Sequence, residues 1–232
     1  MFFAKLTVRL LNYNIEKLIF LIYIIFMTIL KMKLKNDKIY IKVSGGEYFT
    51  IPKNGTYELD IYEGMELEYD EIPHIRMRAY EAAAKKSAVN ALRRGFLSEG
   101  MLRDKLIKKG HKKRFINYAI AYCKEYELID DKRFAKITVN SLKLKGKSKR
   151  YILDALKKAK LKNKTIERVS HLITEKNEVR SLKNAIRKYY KIYENKDKRN
   201  DYIIRTLMRK GFKYDAVKKL LDKYKPDKNN TI

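Results

Sequence analysis

The hydrophobic positions change their period once along the chain. Lys38-Ile39-Tyr40-Ile41-Lys42-Val43 alternates, Ser44-Gly45-Gly46-Glu47 supplies a turn, and Tyr48-Phe49-Thr50-Ile51 continues extended. Pro52, Asn54 and Gly55 mark a second turn before Tyr57-Glu58-Leu59-Asp60-Ile61. A period of two bounded by Gly, Pro and Asn predicts a small β-module of about three strands. Gly64-Met65-Glu66-Leu67 reads as its last turn, ahead of a hinge at Pro73.

From Arg76 onward the period is helical. Glu81-Ala82-Ala83-Ala84, Ala88, Ala91 and Leu92 predict a helix ending near Arg94-Gly95. Ser98 reads as the N-cap of a second helix carrying Leu102, Leu106 and Ile107, with Gly110 at its close. A third helix carries Phe115, Ile116, Ala119, Ile120 and Cys123. The design then recurs. Met101–Gly110 matches Tyr151–Lys160 at an offset of 50 residues, and that segment matches Tyr202–Gly211 at an offset of 51. The following helix keeps the register: Ile116 maps to Ile166 and Val217, and Ala119 to Val169 and Leu220. Register preserved across a loop predicts stacked units that bury a shared core. Lys160 stands where the other two units have Gly110 and Gly211. Either it takes a left-handed C-cap, at a cost of about 1 kcal/mol, or that helix ends differently.

The expected fold is mainly α: a tandem array of three three-helix repeats, preceded by a small N-terminal β-module and an apolar N-terminal segment. The expected divisions are a leader at 1–31, the β-module at 32–75, repeats at 76–127, 128–174 and 175–224, and a disordered tail at 225–232. Leu18–Leu30 is uncharged but shorter than the ~18–20 apolar residues a membrane helix needs. No small-residue cleavage site follows it. It reads as a short membrane or interfacial anchor, as a packed helix, or as translated upstream sequence with natural initiation at Met27 or Met32.

Charge sharpens this division. The 232 residues hold 55 Lys and Arg against 27 Asp and Glu, a formal net charge of +28. Such an excess predicts an anionic partner: nucleic acid, a nucleoprotein or an acidic membrane surface. Residues 32–75 hold five Lys and nine acidic residues, net −4, whereas residues 76–232 carry a net +29. The acidic balance of the β-module argues against a nucleic-acid role of its own and favours packing or docking.

Candidate chemistry is sparse. The single cysteine, Cys123, excludes an intramolecular disulfide and sits at helical spacing with apolar neighbours, as a buried residue does. His74, His111 and His171 are scattered, without zinc spacing. No phosphate loop or nucleophile–base pair is visible, so neither an enzyme nor a cofactor is expected. A helix-turn-helix reader of base edges would need a recurrent Asn, Gln or Arg set. The candidate helices carry mostly Lys, which binds phosphate without reading sequence.

Three stretches carry a family resemblance. They are Leu92-Arg93-Arg94-Gly95-Phe96-Leu97-Ser98-Glu99-Gly100-Met101-Leu102-Arg103-Asp104-Lys105-Leu106, then Leu128-Ile129-Asp130-Asp131-Lys132-Arg133-Phe134-Ala135, then Gly146-Lys147-Ser148-Lys149-Arg150-Tyr151-Ile152 with Leu156-Lys157. In this order and spacing they resemble the RecX family, regulators of the RecA recombinase. The resemblance covers roughly residues 64–224, and the second stretch is its most specific part. It implies a cytoplasmic, non-enzymatic protein that binds RecA and the RecA–single-strand DNA filament and mostly inhibits it, with effects on recombination, DNA repair and the SOS response. It also implies single-stranded DNA as a partner, with double-stranded DNA left open; a monomer is expected and a membrane is not. Because members start near the strand module, the upstream-sequence reading of residues 1–31 is favoured.

On the residues themselves, the second stretch reads as structural. Asp130 can cap a helix, Asp131 can sit in its first turn, and Phe134 and Ala135 fall on the buried face, with Arg133 paired or in solvent. Ser98 and Leu102 belong to the same structural set. Gly100 stands where the family often has an acidic residue, and weakens its helix by about 1 kcal/mol relative to Ala. The candidate RecA- and DNA-binding residues form a basic stripe. Arg103, Lys108, Lys109, Lys112, Lys113 and Arg114 supply it in the first repeat. Lys147, Lys149, Arg150, Lys157 and Lys158 supply it in the second, and Arg209 and Lys210 in the third. Tyr118, Tyr122, Tyr151 and Tyr202 could stack on bases, although their spacing suits packing better. The main rivals are a general basic nucleic-acid-binding repeat protein with no RecA dependence and a membrane-anchored regulator using residues 10–30.

Overall fold

The computed structural model describes residues 26–224. An antiparallel sheet comes first: β1 (Phe26–Lys35), β2 (Lys38–Val43), β3 (Tyr48–Pro52) and β4 (Glu66–Glu68), in the order β3-β2-β1-β4. Its inner face is apolar because the period is two. Met32, Ile41 and Phe49 lie opposite one another across three strands, as do Leu34, Ile39 and Ile51. Met27, Ile29, Ile41, Val43, Phe49, Ile51 and Leu67 form a buried cluster with Ala79 of the first helix.

The sheet begins earlier than the expected 32–75 module, at Phe26, and ends earlier too, at Glu68, because the first helix already starts at Glu71. Residues 26–31 are not a leader: Phe26–Thr28 pair with β4, and Met27 and Ile29 are core residues. A chain initiated at Met32 would lose more than half of the ten residues of β1, whereas initiation at Met27 would keep nearly all of it. The apolar segment before Phe26 lies outside the described residues. Residues 66–68 form a fourth strand rather than a turn, and the expected turn at 52–55 is a 3-10 turn, Lys53–Glu58, that takes in Tyr57-Glu58, where a strand was expected to begin. Pro73 is no hinge. Helix α1 (Glu71–Arg93) already contains it in its first turn, where a missing N–H leaves no hydrogen bond unmade.

Eight further helices follow: α2 (Glu99–Lys108), α3 (Lys113–Glu125), α4 (Asp131–Leu144), α5 (Lys149–Lys158), α6 (Asn163–Ser170), α7 (Glu175–Ile192), α8 (Arg199–Arg209) and α9 (Tyr214–Asp222). The molecule divides into two compact units, and the division falls inside α2. The first unit holds the sheet, α1, Lys105–Lys108 of α2, and α3. Ala79, Ala82, Ala83, Ala84, Ala88 and Ala91 make a small-residue face on α1, and Ile116, Ala119, Ile120 and Cys123 are the buried face of α3. Burial raises the Cys123 thiol pKa, in keeping with an inert core residue.

The second unit holds the first turns of α2 and all of α4–α9. It has two apolar clusters, one around Phe134, Val139, Ile152, Leu156 and Ile166, the other around Leu182, Ile186, Ile203, Leu207 and Val217. Polar joints tie its helices end to end. Ser98 accepts the Met101 N–H at 3.2 Å, capping α2, and donates its hydroxyl to the carbonyl of Ala159, the C-cap residue of α5. Fifty residues on, Ser148 accepts the Tyr151 N–H at 3.2 Å and donates to the carbonyl of Lys210, the C-cap residue of α8, at 2.8 Å. Both serines are completely buried. A carboxylate finishes each joint: Asp131 accepts the Glu99 N–H at 2.8 Å, and Glu178 accepts the Lys149 N–H at 3.3 Å. Orphan donors at one helix start and an orphan carbonyl at another helix end are thus satisfied together.

Two oddities of the sequence explain each other at the first joint. Lys160 is left-handed, with φ +56, and its ammonium lies 2.7 Å from the Asp104 carboxylate. Gly100 faces it; a Cβ there would collide with the Lys160 Cβ. The second joint reverses the pair. Arg150 stands at the position matching Gly100, and Gly211 matches Lys160, with any added Cβ only 2.6 Å from the Ser148 hydroxyl. One side of each joint carries a side chain and the other makes room for it. So Gly100 is there for close approach, and its helix-propensity cost is secondary. Gly100→Ala should therefore destabilise the chain by about 1–3 kcal/mol, as overpacking does, although propensity alone favours Ala by about 1 kcal/mol. Adding Lys160→Gly removes the Cβ contact but leaves the Lys160 carbonyl 2.9 Å from the new methyl, so it should recover part of that loss in a urea-unfolding double-mutant cycle.

Candidate nucleic-acid interface

Helix starts normally favour acidic residues, because the positive end of the dipole is there. Three helices depart from this: α3, α5 and α6 have no acidic residue in the first turn. They open instead with Lys113-Arg114, Lys149-Arg150 and Asn163-Lys164. Placing like charge on a helix start costs a few tenths of a kcal/mol or more each. The same placement adds side-chain cations to backbone positive charge and strengthens any attraction for an anion.

In the first unit, Lys108, Lys109, Lys112, Lys113 and Arg114 are all exposed around the α2–α3 turn. Lys112 and Arg114 also line a groove of about 530 Å³ with Pro73, His74, Arg76, Met77, Tyr80 and Phe115. Its polar lining is entirely basic or phenolic. The Tyr80 and Phe115 rings stack at 5.2 Å with 13° between their planes, and the Arg114 guanidinium lies 2.6 Å from the Met77 sulfur. Basic side chains over stacked rings can hold phosphate and offer an aromatic edge to a base. Sequence reasoning missed His74, Arg76 and Tyr80. Placing the helix start at Arg76 hid His74; Arg76 and Tyr80, four residues apart, share a face from either start, but only the packing of α1 on α3 brings them to Arg114 and Phe115.

In the second unit, Lys149, Arg150 and Lys157 line a groove of about 630 Å³ together with Lys213. Asp154, Glu175 and Glu178 share its lining, so its charge is mixed. Lys158 and Arg209 are exposed. The other candidates are committed locally. Arg103 pairs with Glu99 at 2.9 Å. Lys147 lies 4.6 Å over the Tyr151 ring, and half-buried Lys210 lies 5.6 Å over the Tyr189 ring. Among the tyrosines singled out, Tyr122 packs on Tyr126 under the Lys85 ammonium, while Tyr118, Tyr151 and Tyr202 are exposed, the last with one side against Tyr193.

The Asp130-Asp131 pair acts in capping. Asp130 accepts the N–H groups of Lys132 and Arg133 at 2.8 and 3.1 Å, starting α4, while Asp131 reaches α2 as described above. Phe134 is buried and stacks on Phe96 at 5.2 Å; Ala135 and Leu102 are fully buried, and Arg133 is exposed. Among the described residues, no group of three or more His, Cys, Asp or Glu could hold a metal ion. Among them too, no helix is long and apolar enough to cross a membrane.

The fold and these surfaces define a basic, mainly helical protein with a small antiparallel sheet ahead of its helices. No family model matches the chain. Curated relatives do. The chain is 28% identical to a regulatory protein RecX of Clostridioides difficile (strain 630) over 83% of its own length and 92% of the relative's. It is 26% identical to that of Caldanaerobacter subterraneus subsp. tengcongensis over 81% and 94%. It is 30% identical to that of Clostridium perfringens (strain 13 / Type A) over 59% and 66%. The fold is that of a crystal structure of regulatory protein RecX, with a TM-score of 0.59 and 19% identity over 85% of this chain and all of that one. RecX from Lactobacillus salivarius also shares it, with a TM-score of 0.53 and 22% identity over 62% of this chain and 98% of that one. The chain belongs to the RecX family of regulatory proteins.

His111 sits inside the cationic turn, half-buried between Gly110 and Lys112. Burial, and then the Lys109 charge, hold its imidazole below the ordinary 6.5. The unfolded chain therefore takes up this proton first as pH falls. The stabilisation is complete above pH 6.5 and is lost below it. Urea unfolding at pH 7.5 and 5.5 should show the loss, and His111→Gln should reduce it.

Proposed function

We propose that the chain binds RecA and its filament on single-stranded DNA, and mostly inhibits the recombinase, acting without enzymatic chemistry in the cytoplasm. Effects on recombination, repair and the SOS response would follow from that single contact. Family membership supports this reading, and one observation carries it: a groove in the first unit whose charged lining is wholly basic, over the stacked Tyr80 and Phe115 rings. A nucleoprotein filament offers both acidic protein surface and phosphate to such a lining. We read the helices as three three-helix repeats, because the serine joints recur at the sequence offset. On that reading Lys108, Lys109, Lys112, Lys113, Arg114, Lys149, Arg150, Lys157, Lys158 and Arg209 are the filament-facing cations. Lys147, Lys210 and Arg103 contribute less, being held by tyrosines or by Glu99.

A second reading is a general binder of nucleic acid, favoured by the same groove's absence of acidic residues. It predicts equal affinity for DNA with and without RecA, and a steep dependence on salt. The first reading predicts preference for the filament. Full-length protein in stoichiometric excess should inhibit DNA-dependent ATP hydrolysis and strand exchange by RecA. Replacing Arg76 and Arg114 with Glu should weaken inhibition about ten-fold or more, since each contact to a charged partner contributes roughly 1.5–3 kcal/mol. No inhibition by the unmodified protein would refute the reading.

A further inference from the structure

The acidic balance of the N-terminal module conceals a face of opposite sign. Its three long strands contain Lys31, Lys33, Lys35, Lys38 and Lys42 and no acidic residue. The register sets all five on the side of the sheet away from the apolar cluster. Lys33 lies opposite Tyr40, and Tyr40 opposite Thr50; Lys31 lies opposite Lys42, and Lys42 opposite Tyr48; Lys35 lies opposite Lys38. The residues between them in sequence, Met32, Ile39, Ile41, Phe49 and Ile51, all face the core. Tyr40 is 38% and Tyr48 64% exposed, and the Lys42 ammonium stands 5.9 Å from the Tyr48 ring centroid. The acidic residues stand at the margins, Glu63 the nearest: on the edge of β1 its carboxylate accepts the Met32 N–H at 2.6 Å, between Lys31 and Lys33. Asp37 and Glu47 are in the connecting turns. Glu66 and Glu68 share the outer face only through β4, which pairs with Phe26–Thr28 at the far end of β1 from Lys33 and Lys35.

We propose that this outer face is a second nucleic-acid surface, a platform for single-stranded DNA or RNA, distinct from the groove beside α1. Alternating lysines on a strand stand about 6.6–6.8 Å apart along it, a row of cations that tracks a phosphate backbone. The two tyrosines, on adjacent strands, offer flat rings to unstacked bases. A row of positive charge with aromatic rings between is what sequence-tolerant binding to single strands requires. A duplex keeps its bases stacked inside and would use the lysines alone. The proposal needs no RecA, so it stands apart from the function proposed above.

The test is fluorescence anisotropy of the full chain with a labelled oligothymidylate, in the absence of RecA, across a salt series. Lys33→Gln with Lys42→Gln should weaken binding and lower the salt slope by about 0.7 per lysine. Tyr40→Ala and Tyr48→Ala should each weaken it about five-fold or more, while Tyr40→Phe, which keeps the ring, should bind as the unmodified chain does. Affinity for a duplex of equal length should respond to the lysine changes and not to the tyrosine changes. Unchanged oligothymidylate affinity in both sets overturns the proposal. So does loss in Tyr40→Phe equal to that in Tyr40→Ala, or an effect seen only on phosphatidylserine vesicles. Inhibition of RecA by the same variants is a separate readout and bears only on the function proposed above.

Discussion

A buried serine hydroxyl that serves two helices at once is the constraint on which the helical part of this protein depends. Each hydroxyl accepts one orphan N–H at the start of its own helix and donates to an orphan carbonyl at the end of another. Buried in an apolar setting, either group left alone would cost roughly 1–3 kcal/mol. The joint can therefore form only when two helix ends meet in one geometry. Its second carboxylate contact and its paired glycine follow from the same closeness. Because Ser98 and Ser148 repeat the arrangement, direction is passed from helix to helix by hydrogen-bond geometry, with apolar packing filling the space behind.

Against that frame the charge distribution looks less like a solvated coat. The molecule starts α3, α5 and α6 with cations where helix stability asks for carboxylates. It keeps acidic side chains out of the groove beside α1, and clears them from three strands of the sheet. Elsewhere acidic residues are used for capping, as Asp130, Asp131 and Glu178 are. Separation of this kind leaves strong positive potential on particular faces, which steers anionic partners and raises their rate of encounter.

Much of the helical part was legible from local pattern. Helical spacing of apolar residues and Ser98 and Asp130 as caps act over a few residues, so they can be read in one dimension. The left-handed Lys160 was one of two stated alternatives, and the fold takes it. Less was legible at the edges. Phe26–Thr28 sit in the sheet because β4, some forty residues on, pairs with them, and Ile29 and Lys31 because β2 does. Pro73 read as a hinge because a proline resembles a break, yet at a helix start it costs nothing.

What the linear chain determined is the set of elements, their apolar faces, their caps and the sign of the net charge, since each depends on neighbours in sequence. Which charges stand together was settled only by folding. The −4 of residues 32–75 is a sum over a module whose acidic and basic side chains occupy different sides. His74, Arg76 and Arg114 share a groove because α1 packs on α3. Gly100 answers to Lys160, sixty residues away, because two helix ends meet. A sum over sequence has no direction, whereas a partner meets a surface, and that difference is why composition predicted an anionic partner without predicting where it would bind.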